Sequence, residues 1–90
     1  MKKVEIYTKS YCPFCKRAKE LLRIKGVTFI EYDVSSDPTG EQEMHRRSGR
    51  ETVPEIFVDG TLLGGCSDLF DLDEKGELDS LLDLKNRPRE

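Results

Sequence analysis

The segment YCPFCKRAKELL, residues 11–22, follows almost directly on the run VEIYT (Val4–Thr8), and this junction constrains the fold more than any other feature. VEIYT alternates and is rich in β-formers, so it reads as a strand. From Cys12 the pattern changes. Pro13 suits the first turn of a helix, where its missing N–H costs nothing. Ala18, Leu21, Leu22 and Lys25 recur at helical spacing, and Gly26 stands where a left-handed residue closes a helix. VTFIEYDV (Val27–Val34) is a second strand. The β-α-β unit should cross over right-handed, with its two strands parallel in one sheet.

The remaining segments complete that sheet. SSDPTG offers helix caps and a proline at N1, ahead of a polar helix over about residues 39–48 that stops at Gly49. PEIFV is a third strand, Asp59-Gly60 a hairpin signal, and TLL a short fourth strand. GGCSDLFDLDEKG opens on two glycines and a cap and continues as a helix, and ELDSLLDL adds a last short one. The order β-α-β-α-β-β-α implies an α/β fold, a four-stranded mixed sheet flanked by helices. Ninety residues make one domain, placed at 1–84, with KNRPRE (85–90) a polar C-terminal tail.

Bulk properties narrow the function. A net charge of -3 argues against a nucleic-acid partner, which usually meets a basic face. No apolar run has membrane length, so no membrane partner is expected. MKKVEIYTK lacks the apolar core of a signal peptide. A cytoplasmic location follows, where thiols stay reduced. Three cysteines, an odd number, do not make a static disulfide framework. Nothing demands more than a monomer.

The cysteine pair carries the chemistry. Cys12 falls at or near the N-cap of the first helix, where unpaired N–H groups and the positive end of the dipole favour a thiolate. The thiolate is the form that attacks disulfides. Cysteines in such positions titrate at roughly 3.5–7.5 rather than about 8.5. A shift of about 3 units is worth about 4 kcal/mol, whereas the dipole supplies at most ~2 kcal/mol. Direct N–H···S bonds must therefore supply most of any large shift. The expected donors are Phe14 and Cys15, since Pro13 has no N–H, with the charge of Lys9 nearby. Cys15, one turn on along the same face, can reach the Cys12 sulfur as a resolving thiol. Two other readings compete: a pair of small core residues, or half of a zinc site completed by Cys66 and His45. His45 sits in a polar helix and Cys66 has no neighbour at ligand spacing. A CxxC at the head of a helix in a β-α-β unit favours redox chemistry.

Two later loops bear on a ligand. In ETVPEIFV, Pro54 fits the first position of a strand, where no ladder donor is missed. A cis Val53–Pro54 bond would instead expose the Val53 backbone to an extended peptide, but residues alone do not settle the isomer. In GGCSD (Gly64–Asp68) the glycines allow close approach and the helix start offers N–H groups to a carboxylate. Asp68 could meanwhile hold an amine. A carboxylate beside an ammonium describes an amino-acid head group. An ordinary capped helix after a glycine turn explains the same residues.

YTKSYCPFCKRAKELL, RSGRETVPEIFVDG and LLGGCSDL, in this order and spacing, resemble the glutaredoxins over about Val4–Leu84, nearest the bacterial glutaredoxin-3-like group. The resemblance implies a thioredoxin fold, a cis Val53–Pro54 bond, and glutathione as co-substrate with no metal. Carried over, Cys12 is the nucleophile and Cys15 its resolving partner, forming the redox-active disulfide. Lys9 would meet the glycine carboxylate of glutathione. Thr52, Val53 and Pro54 would form a groove wall on which Val53 pairs main chain to main chain. Gly65, Cys66, Ser67 and Asp68 would hold the γ-glutamyl end. Phe14 stands where the family often has tyrosine, so the ring remains and its hydroxyl is lost. Leu62-Leu63 replaces a common His-Ile, a packing change. An Arg or Gln on the second helix commonly assists the glycine carboxylate; here Gln42 is a candidate and Glu41 an antagonist. Tyr11 lines the groove or merely covers the sheet.

The implied activity is glutathione-dependent thiol–disulfide exchange, with glutathionylated and disulfide-containing proteins as partners and ribonucleotide reductase among them. A [2Fe-2S] carrier, bridging two chains through Cys12 and glutathione, is the alternative. Such carriers typically have glycine after the cysteine and serine in place of the second one, and Pro13 and Cys15 depart from both. A redoxin fed by thioredoxin reductase is a third reading, disfavoured by GGCSD and Lys9. Cys66 is either a small residue at a tight helix start or a secondary oxidation site.

Overall fold

The computed structural model describes residues 2–84. Strand β1 (Val4–Thr8) lies at the centre of the sheet, whose order is β2-β1-β3-β4. It pairs in parallel with β2 (Phe29–Asp33) and antiparallel with β3 (Glu55–Val58), which pairs antiparallel with β4 (Thr61–Gly64). This is the mixed four-stranded sheet expected of a thioredoxin fold. The expected tail, 85–90, lies outside the described residues.

All five residues of β1 are buried, Glu5 and Thr8 included. The alternation of VEIYT therefore does not separate core from solvent; it separates two covered faces. Val4 and Ile6 pack with Ala18, Leu22, Ile56 and Leu69, beneath helices α1 (Pro13–Ile24) and α3 (Cys66–Glu74). Tyr7 packs with Val34, Met44 and Phe57 on the other face, under α2 (Pro38–Ser48). Leu22 is fully buried, a gain of about 1.5–3 kcal/mol for such a side chain. A short α4 (Leu78–Leu81) closes the first core with Leu78 and Leu82.

Local chemistry sets the ends of these elements. Pro13 occupies the first helical position of α1 and Pro38 that of α2, where the Asp37 carboxylate accepts from Gly40 N–H at 3.1 Å. At the far end of α1, Gly26 takes φ +75°. Its N–H donates to Arg23 O at 2.9 Å, and Val27 N–H donates to Leu22 O at 2.9 Å. This Schellman closure uses the Val27 donor, so β2 starts at Phe29 and not at Val27. It ends at Asp33, one residue short of Val34. Asp59 and Gly60 both take positive φ, the geometry of a type I′ hairpin turn between β3 and β4.

Candidate active site

Cys12 is the N-cap of α1, with extended φ/ψ of -92° and 113°. Two bonds frame the turn that presents it: Cys12 N–H to Lys9 O at 3.1 Å and Lys16 N–H to Cys12 O at 3.3 Å. Its Sγ accepts from Cys15 N–H at 3.3 Å. Of the two amides expected to face this sulfur, that of Cys15 does so; the Phe14 amide makes no such bond. The Cys12 thiol points to the carbonyl of Val53, 3.7 Å away.

Cys15 lies behind it at 1% exposure. Burial, with the neighbouring Cys12 as the next cause, pushes its pKa up to about 12. At neutral pH it stays a thiol, out of solvent and one helical turn from Cys12. Cys12 keeps 9% of its surface in contact with solvent against 1% for Cys15, an ordering that suits a more accessible first thiol and a held-back second one. Burial likewise raises the pKa of Cys66.

A groove of about 700 Å³ opens beside this pair. It is lined by Thr52, Val53 and Pro54 ahead of β3, by Gly65, Cys66, Ser67 and Asp68 at the head of α3, and by Phe14. The Val53–Pro54 bond is cis. Gly65 caps α3, and its N–H donates to Asp68 Oδ2 at 2.9 Å. The two glycines of GGCSD have separate reasons. Gly65 lets the helix start approach the Pro54 carbonyl, which a Cβ there would meet at 3.3 Å. Gly64 has φ +131°, and a Cβ on it would overlap the Asp68 carboxylate. Gly64→Ala should therefore cost about 1–3 kcal/mol through backbone strain and swing Asp68 off its cap. A thermal melt should show Tm lowered by at least about 4 °C; an unchanged Tm would contradict the packing described.

The groove holds two cations that sequence reasoning did not assign, Arg17 and Arg50. Arg17 stands over the Phe70 ring, 5.3 Å from its centroid. It lies three residues after Phe14, so helical spacing alone could have placed it on the same face. Arg50 carries no such local signal. Its Nη1 lies 3.6 Å from Glu55 Oε1 and 3.8 Å from Asp68 Oδ2. Glu55 is fully buried, accepts from Thr52 Oγ1 at 2.8 Å, and has its pKa raised by burial.

Lys9 is not on the groove lining. Its ammonium lies 2.8 Å from Glu41 Oε2, and that hydrogen bond raises its pKa. Gln42, the other α2 candidate, is exposed. Tyr11 and Phe14 are exposed beside Cys12, at 72% and 56%. His45 Nε2 lies 3.9 Å from Glu41 Oε2. Among the described residues, no three of His, Cys, Asp and Glu gather into a metal site.

The glutaredoxin family model matches residues 4–63. Glutaredoxin 3 of Escherichia coli K12 is 54% identical over 82 residues, covering 91% of this chain and 99% of that protein. The chain belongs to the glutaredoxin family. A probable glutaredoxin of Synechocystis is 53% identical over 96% of the chain and 80% of its own length. Among solved structures, glutaredoxin from Brucella melitensis aligns with a TM-score of 0.81 at 48% identity, over 98% of this chain and 96% of that one. A buckwheat glutaredoxin–glutathione complex aligns with a TM-score of 0.82 at 25% identity, over 91% of this chain and 77% of that one. This glutaredoxin is a glutathione-dependent thiol–disulfide oxidoreductase.

Proposed function

We propose that Cys12 is the nucleophile, Cys15 the resolving thiol, and the groove between the Val53–Pro54 turn and α3 the glutathione site. The observation that carries this reading is the Cys12 sulfur poised on the Val53 carbonyl, next to a groove with a helix N-terminus and Asp68 on its lining. The Cys12 thiolate attacks the glutathione sulfur of a protein–glutathione disulfide. The Cys12–glutathione bond forms, the protein–sulfur bond breaks, and the protein thiolate leaves and takes up a proton. A second glutathione thiolate then attacks the bound glutathione sulfur, giving glutathione disulfide and restoring Cys12. With protein disulfides, Cys15 displaces the protein sulfur and the Cys12–Cys15 bond forms. The couple should lie at about -200 to -230 mV.

In this assignment the cysteinyl backbone of glutathione pairs with Val53. The free amides of Cys66 and Ser67 at the head of α3 receive the γ-glutamyl carboxylate, with Gly65 giving it room, and Asp68 receives the ammonium. Lys9 receives the glycine carboxylate, while Phe14, Thr52 and Pro54 give the groove its shape. We place the protein in the cytoplasm as a monomer serving redox homeostasis and electron transport, with ribonucleotide reductase among its disulfide substrates. Three unpaired cysteines fit a reducing compartment.

Asp68→Asn tests the head-group assignment. It keeps an oxygen for the Gly65 cap and removes the charge that meets the ammonium. In the hydroxyethyl disulfide assay, KM for glutathione should rise roughly fivefold to thirtyfold, the worth of a partly exposed charge-assisted hydrogen bond. An unchanged KM would remove Asp68 from the site.

A further inference from the structure

The lysine nearest the nucleophile already holds a carboxylate. Lys9 lies three residues before Cys12, and its carbonyl accepts the Cys12 N–H at 3.1 Å. Its ammonium meets Glu41 Oε2 at 2.8 Å, with both side chains partly shielded from water. Glu41 comes from the first turns of α2, 32 residues further along the chain. The pair holds Lys9 protonated and keeps Glu41 ionised by lowering its pKa. Gln42 beside it points to solvent, so the α2 residue that faces Lys9 is the acidic one.

A second station for Glu41 lies one turn along the same helix. The oxygen that touches Lys9 is 3.9 Å from His45 Nε2, and that nitrogen is buried with no hydrogen-bond partner among the described residues. A small rotation of the Glu41 side chain would release Lys9 and give His45 an acceptor. A neutral imidazole with its proton on Nε2 can donate that bond, so no proton need be taken up.

We propose that Glu41 is an internal occupant of the Lys9 carboxylate subsite, which competes with the glycine carboxylate of glutathione and retreats to His45 when the tripeptide binds. This rests on the assignment of Lys9 to the glycine carboxylate. A ligand that must displace an existing pair gains only the difference between the two pairs, so Glu41 loosens the grip on glutathione. Looser retention favours release of glutathione disulfide at the end of each cycle.

The test is a calorimetric titration of the reduced protein with S-methylglutathione, which keeps both carboxylates but cannot exchange, and with its glycine amide. Glu41→Gln should tighten S-methylglutathione by about twofold to fivefold, the worth of one partly exposed ion pair, and leave the amide unchanged. Lys9→Met should weaken the acid, and adding Glu41→Gln to it should bring no gain. His45→Phe should weaken the acid by about twofold, and unchanged binding there would overturn the part given to His45. No tightening by Glu41→Gln, or tightening that survives Lys9→Met or extends to the amide, overturns the proposal. If Lys9→Met weakens the acid while Glu41→Gln does nothing, the proposal alone fails. If Lys9→Met changes nothing and acid and amide bind alike, the assignment of Lys9 fails with it.

Discussion

Cys12→Ser should lower glutathione-dependent reduction by about three orders of magnitude or more, as expected when a covalent nucleophile is lost. Cys15→Ser should leave removal of glutathione from mixed disulfides within about threefold of wild type and lose reduction of protein disulfides. The asymmetry follows from geometry. Cys15 contributes to the Cys12 environment through its backbone N–H at 3.3 Å, and serine keeps that N–H. On the proposed assignment, the Cys15 sulfur itself is needed only when no glutathione is available to resolve the mixed disulfide. The hydroxyethyl disulfide assay and a protein disulfide assay, run side by side, separate the two roles. Equal losses in both assays for the two variants would refute the division of labour.

The state of Cys15 also orders the steps. Burial, with the Cys12 sulfur as the next cause, holds its pKa high, at about 12. When Cys12 is tied into a mixed disulfide, its sulfur no longer acts on Cys15 as it does in the reduced pair. The contribution from Cys12 then disappears while that of burial remains, and the Cys15 pKa falls. On the proposed assignment, Cys15 should thus become a better nucleophile after Cys12 has reacted. The buried thiol should react slowly with alkylating agents at neutral pH, at a rate that rises as the pH is taken towards 12.

How far the site could be read from sequence depended on how local each interaction is. Cys12 and Pro13 at the head of α1, the Asp59-Gly60 turn, and Asp68 in the first turn of α3 are each settled within three or four residues. Cap and turn chemistry identifies them directly. The cis Val53–Pro54 bond was implied by the family resemblance, because neither residue alone distinguishes the isomers. Glu5 illustrates what local pattern conceals. In VEIYT it occupies an alternate position that would face water on a one-sided sheet, yet it is 5% exposed. The helix that covers it, α2, is polar along most of its length and contributes one fully buried residue, Met44. Nothing in so polar a helix announces that it closes a second core. The Arg50–Asp68 pair is invisible for the same reason, since it joins segments that meet only in the folded chain; Glu41 could be named as an antagonist at the carboxylate of Lys9 only through the family resemblance, and its direct pairing with Lys9 appears only in the fold.

Arg47→Met should be the most damaging change away from the cysteines. Arg47 reaches from α2 across the sheet, with Nη2 3.1 Å from Glu5 Oε1 and Nη1 2.8 Å from the Tyr7 hydroxyl. Its guanidinium lies over the Phe57 ring, 4.1 Å from the centroid. The Tyr32 hydroxyl donates to the other Glu5 oxygen at 2.8 Å. Methionine can replace the apolar stem but leaves a buried carboxylate without its paired guanidinium, with Lys3 acting on it only as the weakest of its influences. Removing one partner of a buried pair costs about 3–5 kcal/mol. Arg47 keeps 19% of its side chain in water, which puts the expected loss nearer 2–4 kcal/mol, or a Tm lower by about 10–30 °C. The pH dependence identifies the cause. In the wild type the Arg47 hydrogen bond lowers the Glu5 pKa, so this stabilisation is complete above the unfolded value of about 4.3 and is lost as pH falls through the folded one. In the variant burial dominates and the Glu5 pKa rises, so protonation relieves the penalty. The stability gap measured by urea unfolding should therefore shrink from pH 7 towards pH 4. A second change, Glu5→Leu, should recover much of the loss, because apolar replacement of a whole buried pair is often neutral. A gap that stays constant with pH, or a double variant no better than Arg47→Met, would mean that Arg47 acts through packing on Phe57 and not through Glu5.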